Sequence, residues 1–351
     1  MLNAVSASPA TPARSGLPTA RAVDHYAFTV PRLDDAVAFF TGVLGGELCY
    51  REGPVEDPSG DWMSRKLGVH PRARAQVALV RLGSHSNLEL FEYTAPGQIT
   101  SPPGPNDVGG HHLALAVADP DAAGEHLRRA GAVRLGPSDS SGGSRRWFLT
   151  PVGTLISLSG PGRRDGRRFV PTPRPHSNAA ERALGLLGVE HVSYTVADLD
   201  AATRFFTGVL GAEPVDGSEE AADGPPGAER CRRVLLRTGP TANCELRQSG
   251  KGALRTRPPR NSDVGGHHLA FYVDDVDAAA AYLREQEGVT LMGEPETITQ
   301  GPIAGDRWLY FGTPIGIQME IINMPDGSLP YETRTAARRA TPGDLRWHDR
   351  P

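Results

Sequence analysis

The sequence is poor in aromatic residues, in basic blocks and in long apolar runs, and each shortage excludes a class of protein. Aromatic residues make up 6% of the 351 residues, and the formal net charge is −4. Nucleic-acid-binding proteins concentrate Lys and Arg on one surface, so nucleic acid is not expected as a partner. No apolar run approaches the roughly 18 residues that span a bilayer, so no membrane partner is expected either.

Cysteine is also scarce. Cys49, Cys231 and Cys244 are odd in number, and no CxxC spacing occurs among them. This usage excludes a disulfide framework and predicts reduced thiols in a cytoplasmic protein. Apolar residues at 38% and charged residues at 22% are typical of a globular chain, and the length allows two domains of ordinary size.

The two ends differ in composition from the rest of the chain. Residues 1–21 are rich in Ala, Ser, Pro and Thr and contain no apolar stretch of the kind found in signal peptides. They are therefore predicted to be a disordered leader. Residues 326–351 form a polar, Arg-rich C-terminal tail. We expect this tail to be a solvated end of the chain and not a functional arm.

The chain contains an internal duplication. Three motifs occur twice in the same order, at offsets of 166, 156 and 163 residues: FFTGVLG at Phe39–Gly45 and Phe205–Gly211, VGGHHLA at Val108–Ala114 and Val264–Ala270, and TPVG at Thr150–Gly153, which returns as TPIG at Thr313–Gly316. Collinear repeats of this kind predict two homologous domains. We place them at residues 22–162 and 188–325, joined by a linker at 163–187 that begins rich in Arg and Pro.

Hydrophobic periodicity divides each half into two similar units. In the first unit, alternation in Val23–Val30 predicts a strand, and Leu33–Leu44 predicts a helix that ends at a glycine pair. Further strands follow, and the same order begins again near His112, His191 and His268. Four such units predict an α+β fold: two tandem domains of βαβββ modules, whose cupped mixed sheets carry helices on one side.

The same alternation predicts which side chains face the open cup. In HHLAFYV, the apolar residues Leu269, Phe271 and Val273 must pack under the helix. His267 lies on their face of the strand, so His268 points into the cup. Applied to the other strands of the second half, this test adds three polar residues to the cup: His191, Glu245 and Glu320.

Two imidazoles and two carboxylates in one concavity are a typical set of ligands for a divalent cation. The second half is therefore predicted to hold the working metal site. The expected ligands are His191, Glu245, His268 and Glu320. The donor set does not select among Fe, Ni, Co, Mn and Zn.

In the first half, the test selects His25, Glu89 and His112. The TPxG motifs align Glu320 with Ser157, so one ligand is missing there. We therefore expect the site of the first half to be structural or degenerate.

Paired strand–helix–strands modules with His on the first strand and Glu on the last resemble the vicinal oxygen chelate superfamily. The resemblance covers about residues 22–325. The superfamily includes glyoxalase I and the extradiol dioxygenases. Four modules in tandem are similar to the two-domain extradiol dioxygenases and to the 2-epi-5-epi-valiolone epimerases. The resemblance implies a divalent metal cofactor, a small-molecule substrate and a homodimer.

Two features separate the candidate activities within this superfamily. LYFGTPIGIQME places Tyr310 ten residues before Glu320, which is similar to the second half of the dioxygenase signature. The signature's own histidine, however, would lie near Gly301–Ile303, where this chain has none. In contrast, Glu245 matches a strand position at which glyoxalase I and the epimerases of the superfamily use Glu or Gln.

We therefore expect a metal-dependent epimerase or isomerase that abstracts a proton next to a carbonyl, with a cyclitol such as 2-epi-5-epi-valiolone as substrate. In this hypothesis, His191, His268 and Glu320 hold the metal, Glu245 is a fourth ligand or the base, and Tyr310 orients the substrate. Two alternatives remain open. One is an Fe(II) extradiol dioxygenase, and the other is a non-catalytic, drug-binding resistance protein.

Overall fold

A computed structural model describes residues 16–136, 145–162, 166–172, 174–221, 224–225, 231–250, 255–324 and 327–349. Residues 1–15 of the expected leader lie outside this range, whereas Ala20 and Arg21 already belong to the first strand. No helix in the described part of the chain is long and apolar enough to cross a membrane. None of the three cysteines forms a disulfide within the described residues, and all three are buried.

Six α-helices and seventeen strands lie within the described residues, in four successive quarters. The first quarter comprises β1 Ala20–Thr29, α1 Leu33–Gly42, β2 Glu47–Glu56, α2 Trp62–Leu67, β3 Arg74–Leu82 and β4 Ser86–Thr94. The second comprises β5 His111–Val117, α3 Pro120–Arg129, β6 Val133–Leu135, β7 Arg146–Leu149 and β8 Leu155–Ser159.

The third quarter follows the helix α4 Ala179–Leu184 and comprises β9 Leu186–Thr195, α5 Leu199–Gly208, β10 Glu213–Ala221, β11 Cys231–Arg237 and β12 Asn243–Ser249. The fourth comprises β13 His267–Val273, α6 Val276–Arg284, β14 Thr290–Leu291, β15 Glu296–Thr297, β16 Arg307–Gly312 and β17 Gln318–Asn323.

The main helix of each quarter begins soon after the quarter's first strand. Asp119, Asp198 and Asp275 are the N-caps of α3, α5 and α6, and their carboxylates accept hydrogen bonds from backbone N–H groups of the first turn. These bonds satisfy donors that a helix leaves free at its start. The helices α1, α3, α5 and α6 lie where the periodicity of the sequence predicts a helix. The helices α2 and α4 were not predicted.

The strands form two mixed sheets, and each sheet combines quarters from both halves of the chain. The first sheet has the order β14-β16-β17-β13-β1-β4-β3-β2, with β15 also paired to β16. The second has the order β10-β11-β12-β9-β5-β8-β7-β6. The first and fourth quarters thus build one cup, and the second and third build the other. The expectation that the second half alone builds the working cup was wrong, because alternation along a strand determines its faces and not its partner.

The two sheets meet in a shared apolar core that contains the first histidine of each His–His pair. The ring of His267 stacks on Tyr194 at 4.8 Å and lies 5.1 Å from the ring of His111. His111 in turn stacks on Phe28 at 4.9 Å. His267 is buried, and its Nδ1–H donates to the Gly265 carbonyl. Both histidines are therefore packing residues at the junction of the sheets.

The C-terminal tail is packed against the fold. Tyr331 lies in a 3-10 helix, Pro330–Thr333, and its ring is 5.4 Å from that of Tyr50. Trp347 is buried and donates its indole N–H to the Gly211 carbonyl. Arg339 is also buried. The expectation of a solvated tail was therefore wrong, because its aromatic residues and one arginine find partners in both halves.

The buried histidine at the sheet junction predicts an acid-sensitive stability. Burial lowers the pKa of His267 to about 3, so the unfolded chain binds a proton there before the folded chain does. Stability is then lost as the pH falls from about 6.5 toward the folded value. His267→Phe is expected to reduce the loss of unfolding free energy between pH 7 and pH 5 by about 2 kcal/mol.

Urea unfolding at both pH values measures this difference. His70→Phe is a suitable control, since His70 is only partly buried and lies outside the junction. An unchanged pH dependence in His267→Phe would contradict the prediction.

Candidate metal centre

Four adjacent strands of the first sheet, β4, β1, β13 and β17, carry a buried group of two histidines and two glutamates. Residues that face each other on paired strands point to the same side of the sheet. His25 lies opposite Ala270, which lies opposite Glu320 on its other side. These three residues form one row across the sheet.

A second row runs beside the first. Ala27 lies between Glu89 on β4 and His268 on β13. The small side chains of Ala27 and Ala270 occupy the middle of the two rows, so the longer side chains converge above them. We call this group, which consists of His25, Glu89, His268 and Glu320, the first cluster.

The distances within the first cluster match those of atoms that share one cation. His25 Nε2 lies 3.1 Å from His268 Nε2 and 3.2 Å from one oxygen each of Glu89 and Glu320. His268 Nε2 lies 3.3 and 3.5 Å from the same two oxygens. Ligand atoms about 2.1 Å from a metal are separated by roughly 3.0 to 3.4 Å in octahedral or tetrahedral geometry. The donor set therefore fits a divalent cation.

The electrostatics of the first cluster favour positive charge. Burial alone would lower the pKa of His25, but the carboxylates of Glu89, Asp24 and Glu320 outweigh burial and raise it well above its ordinary value. Burial would likewise raise the pKa of Glu89, but His25 and His268 hold it far below its usual range. Surroundings that stabilise a proton on a buried imidazole also stabilise a cation bound in its place.

The first cluster opens into a cavity of about 1030 Å³. His25, Glu89 and Glu320 line it, together with Tyr310 on β16. The Tyr310 hydroxyl lies 3.1 Å from His268 Nε2. Burial, with Glu320 and Glu89 nearby, raises the pKa of Tyr310 well above its ordinary value, so the phenol keeps its proton. Tyr310 can therefore donate a hydrogen bond to a molecule in the cavity.

The second sheet carries a related but incomplete group, the second cluster, which consists of His112, His191 and Glu245. Ala114 lies opposite His191 and Ser157 there, as Ala270 lies opposite His25 and Glu320 in the first sheet. This register confirms that Ser157 occupies the position of Glu320.

Arginines surround the carboxylate of the second cluster. Arg247 and Arg233 approach the two Glu245 oxygens at 3.5 and 3.7 Å, and the Ser193 hydroxyl donates to Glu245 at 2.9 Å. Burial, followed by nearby Arg145, lowers the pKa of His191 to about 4. Burial and neighbouring positive groups also lower the pKa of His112 well below its ordinary value. This environment disfavours positive charge, in contrast to the first cluster.

The structure divides the four expected ligands between the two clusters. His268 and Glu320 belong to the first, whereas His191 and Glu245 lie in the second sheet. The prediction of one site shared by all four was wrong, because it assumed that β9 and β13 share a cup. Glu245 is therefore not placed to act as a base beside His268, whereas Tyr310 does contact His268.

His25 and Glu89 complete the first cluster instead. The strand test identified both residues as cup-facing but assigned them to a site with His112. Two members of the expected set, His268 and Glu320, therefore belong to the first cluster, and the other two do not. Alternation within similar repeats carries no signal for which copies pair across a sheet, so this pairing could not be detected from the alternation.

Two family models match the chain, at residues 22–158 and 190–310, and both describe the glyoxalase/bleomycin resistance protein/dioxygenase superfamily. A curated 2-epi-5-epi-valiolone epimerase from Actinomyces sp. is 49% identical over 173 residues, which are 47% of this chain and 93% of that protein. The chain belongs to this superfamily. Its tandem organisation confirms the two domains expected from the repeats and the vicinal oxygen chelate fold implied by the resemblance.

Solved structures of the superfamily share the fold. Glyoxalase I from Zea mays matches with a TM-score of 0.55 at 16% identity, over 86% of this chain and 92% of that chain. A putative dioxygenase from Bacillus subtilis matches with a TM-score of 0.55 at 15% identity, over 88% of this chain and 87% of that chain. At these identities, the likeness concerns the fold alone.

Proposed function

We propose that this member of the superfamily is a metal-dependent epimerase or isomerase whose active site is the first cluster. The observation that carries the proposal is a complete set of two imidazoles and two carboxylates, spaced for one cation, on the wall of a large cavity. His25, His268, Glu89 and Glu320 would hold the metal. A divalent cation bound there would polarise a substrate carbonyl and so acidify the neighbouring C–H.

The chain's own residues supply the proton transfer. One of the two carboxylates, Glu89 or Glu320, would take the proton from the carbon next to the carbonyl and become a carboxylic acid. Water in the cavity would return a proton to the opposite face and so invert that carbon, and the carboxylic acid would then lose its proton to the hydroxide that remains. Tyr310 donates a hydrogen bond to a substrate oxygen and orients the ring. The relative that is named a 2-epi-5-epi-valiolone epimerase supports the reaction type and makes a cyclitol ketone the leading substrate.

The cavity walls favour an uncharged polyol. Among the described residues that line it, the two arginines, Arg51 and Arg339, are already paired with Asp34 and Asp24. No other Arg and no Lys lines the described wall to bind a phosphate ester. Five aromatic rings and five glutamates line the described wall, which suits the C–H faces and hydroxyl groups of a sugar-like ring. The lining aromatic residues are Tyr50, Trp62, Phe91, Trp308 and Tyr310.

The dioxygenase alternative receives less support. Gly301, Pro302 and Ile303 line the cavity where the dioxygenase signature would place a histidine. Without a histidine there, the site lacks the proton-transfer group that the resemblance implies for ring cleavage. The homodimer remains a prediction.

Solvent exchange tests the reaction. Incubation of the native protein with 2-epi-5-epi-valiolone in D2O is expected to place deuterium at the epimerised carbon without oxygen uptake, as measured by NMR and an oxygen electrode. Oxygen consumption with a catechol would support the dioxygenase instead. Binding of a drug without turnover of either substrate would support the resistance protein.

Matched variants of the two clusters test the location of the site. His25→Ala is expected to lower kcat/KM by at least about 100-fold and to remove tightly bound metal, because a ligand of the first cluster is lost. His191→Ala, at the corresponding strand position of the second sheet, is expected to retain activity within about threefold. Metal analysis and steady-state kinetics of both proteins decide the matter. The reverse pattern would place the active site in the second cluster.

Tyr310→Phe tests the substrate-orienting role. Loss of one hydrogen bond to a substrate oxygen is expected to lower kcat/KM by about 10-fold, with metal content unchanged. Loss of metal in this variant, or full activity, would contradict the role.

A further inference from the structure

The C-terminal tail reaches the back of the first cluster. Asn87, two residues before Glu89 on β4, accepts a hydrogen bond from the Ala340 backbone N–H at 2.8 Å and donates to the Ala340 carbonyl at 2.9 Å. The backbone N–H of Arg339 donates to the Tyr331 hydroxyl. These bonds fix the tail where the Arg339 side chain enters the protein interior.

The Arg339 guanidinium lies between buried acidic groups and His25. Its Nε donates to both oxygens of Asp24 at 2.9 and 3.0 Å, and its Nη2 donates to Asp24 Oδ2 at 2.6 Å. Nη2 also lies 3.1 Å from His25 Nδ1, and Nη1 lies 3.5 Å from Asp306 Oδ2. Arg339, Asp24 and Asp306 are each at most 5% exposed. The planar guanidinium is therefore buried and contacts the candidate metal ligand His25 on the side of the ring that faces away from the cluster.

A histidine that binds metal through Nε2 needs a partner at Nδ1 to fix its tautomer and its ring orientation. Arg339 Nη2 lies closer to Nδ1, at 3.1 Å, but a guanidinium can only donate, so the neighbour able to accept from Nδ1–H is Asp24, whose Oδ2 lies 3.6 Å away, just beyond hydrogen-bond distance. The Nε and Nη2 atoms of Arg339 hold both oxygens of Asp24, so the position of the Asp24 carboxylate depends on Arg339.

The second cluster provides an internal comparison. Glu190 precedes His191 as Asp24 precedes His25, and Glu190 also pairs with an arginine, Arg145, at 3.0 Å. Glu190, however, lies 4.0 Å from His191 Nδ1, and neither ring nitrogen of His191 makes a hydrogen bond within the described chain. An acid–arginine pair lies behind both histidines, but only His25 is in contact with it.

We propose that Arg339 is a positioning residue of the active site: the tail guanidinium orients Asp24, and through it holds His25 with Nε2 directed at the metal. The proposal rests on the metal site of the proposed function. It makes the tail a part of the metal site, although no residue of the tail is a ligand. Because a planar fork is needed to hold both Asp24 oxygens, lysine is not an equivalent substitute.

Co²⁺ binding tests this role independently of activity. The full-length protein carrying His191→Ala serves as the background, since it retains only the first cluster intact, and Co²⁺ affinity and the visible absorption spectrum are measured by titration. Arg339→Gln in this background is expected to weaken Co²⁺ binding by about 10- to 100-fold and to alter the spectrum. Arg145→Gln, the matched change behind the second cluster, is expected to leave both within about twofold.

Thermal unfolding of the metal-free proteins separates positioning from folding. If Arg339→Gln does not fold, Arg339→Lys retains the positive charge between Asp24 and Asp306 and is expected to bind Co²⁺ at least about fivefold more weakly. The double variant Asp24→Asn/Arg339→Gln is expected to bind no more weakly than the weaker single variant, because both act through His25.

The outcomes distinguish this proposal from the proposed function. Absence of Co²⁺ binding by the background protein would overturn the metal site and this role together. Strong binding by the background protein, with the same affinity and spectrum in both Arg339 variants, would overturn the positioning role alone. A lower melting temperature with unchanged Co²⁺ binding would show a purely structural role and would also overturn it.

Discussion

The antiparallel pairing of β1 with β13 is the constraint on which the rest of the structure depends. It joins the first quarter of the chain to the last and brings His25 and His268 onto the same face of neighbouring strands. Each of these strands also has a parallel partner, β4 or β17, whose glutamate completes the group. The candidate metal centre is therefore a product of strand register across the two halves, and neither half contains it alone.

The duplication produced two cups with nearly the same strand arrangement. The surroundings favour positive charge in the first cluster and disfavour it in the second. In the first cup, two carboxylates face two imidazoles and the surroundings favour a cation. In the second, Ser157 replaces one carboxylate, and arginines pair with the other, Glu245. Ser193 stands where the first cup has Ala27, and its hydroxyl ties Glu245 to the sheet. A few polar substitutions on one scaffold thus distinguish a cluster whose surroundings favour positive charge from one whose surroundings disfavour it.

Much of the fold was predictable from local patterns. The repeats, the order of strand, helix and strands, and the inward faces of β9, β12, β13 and β17 follow from alternation over a few residues. Long-range pairing has no such local signature. His191 and His25 occupy equivalent positions in similar sequences. Neither strand therefore contains a signal that indicates which of the two histidines lies beside His268.

The packed tail was missed for a related reason. Arg339 lies in a polar, Arg-rich segment, and only the buried partners Asp24 and Asp306 distinguish it from its exposed neighbours. Asp24 lies 315 residues away in sequence, and Asp306 lies in a different quarter of the fold. The charge of a segment indicates solvation when it is considered alone, whereas its contribution to a buried ion pair depends on the whole fold.

The pairing of the outermost quarters also has a consequence for the order of synthesis. The second sheet uses strands from the middle of the chain, so its β-structure can assemble while the ribosome is still adding the last quarter. The first sheet forms later, because the edge of β1 that pairs with β13 stays unpaired until β13 has been translated. Its exposed edge is therefore a point of vulnerability in the nascent chain. A chain terminated before Glu320 would lack one carboxylate of the first cluster.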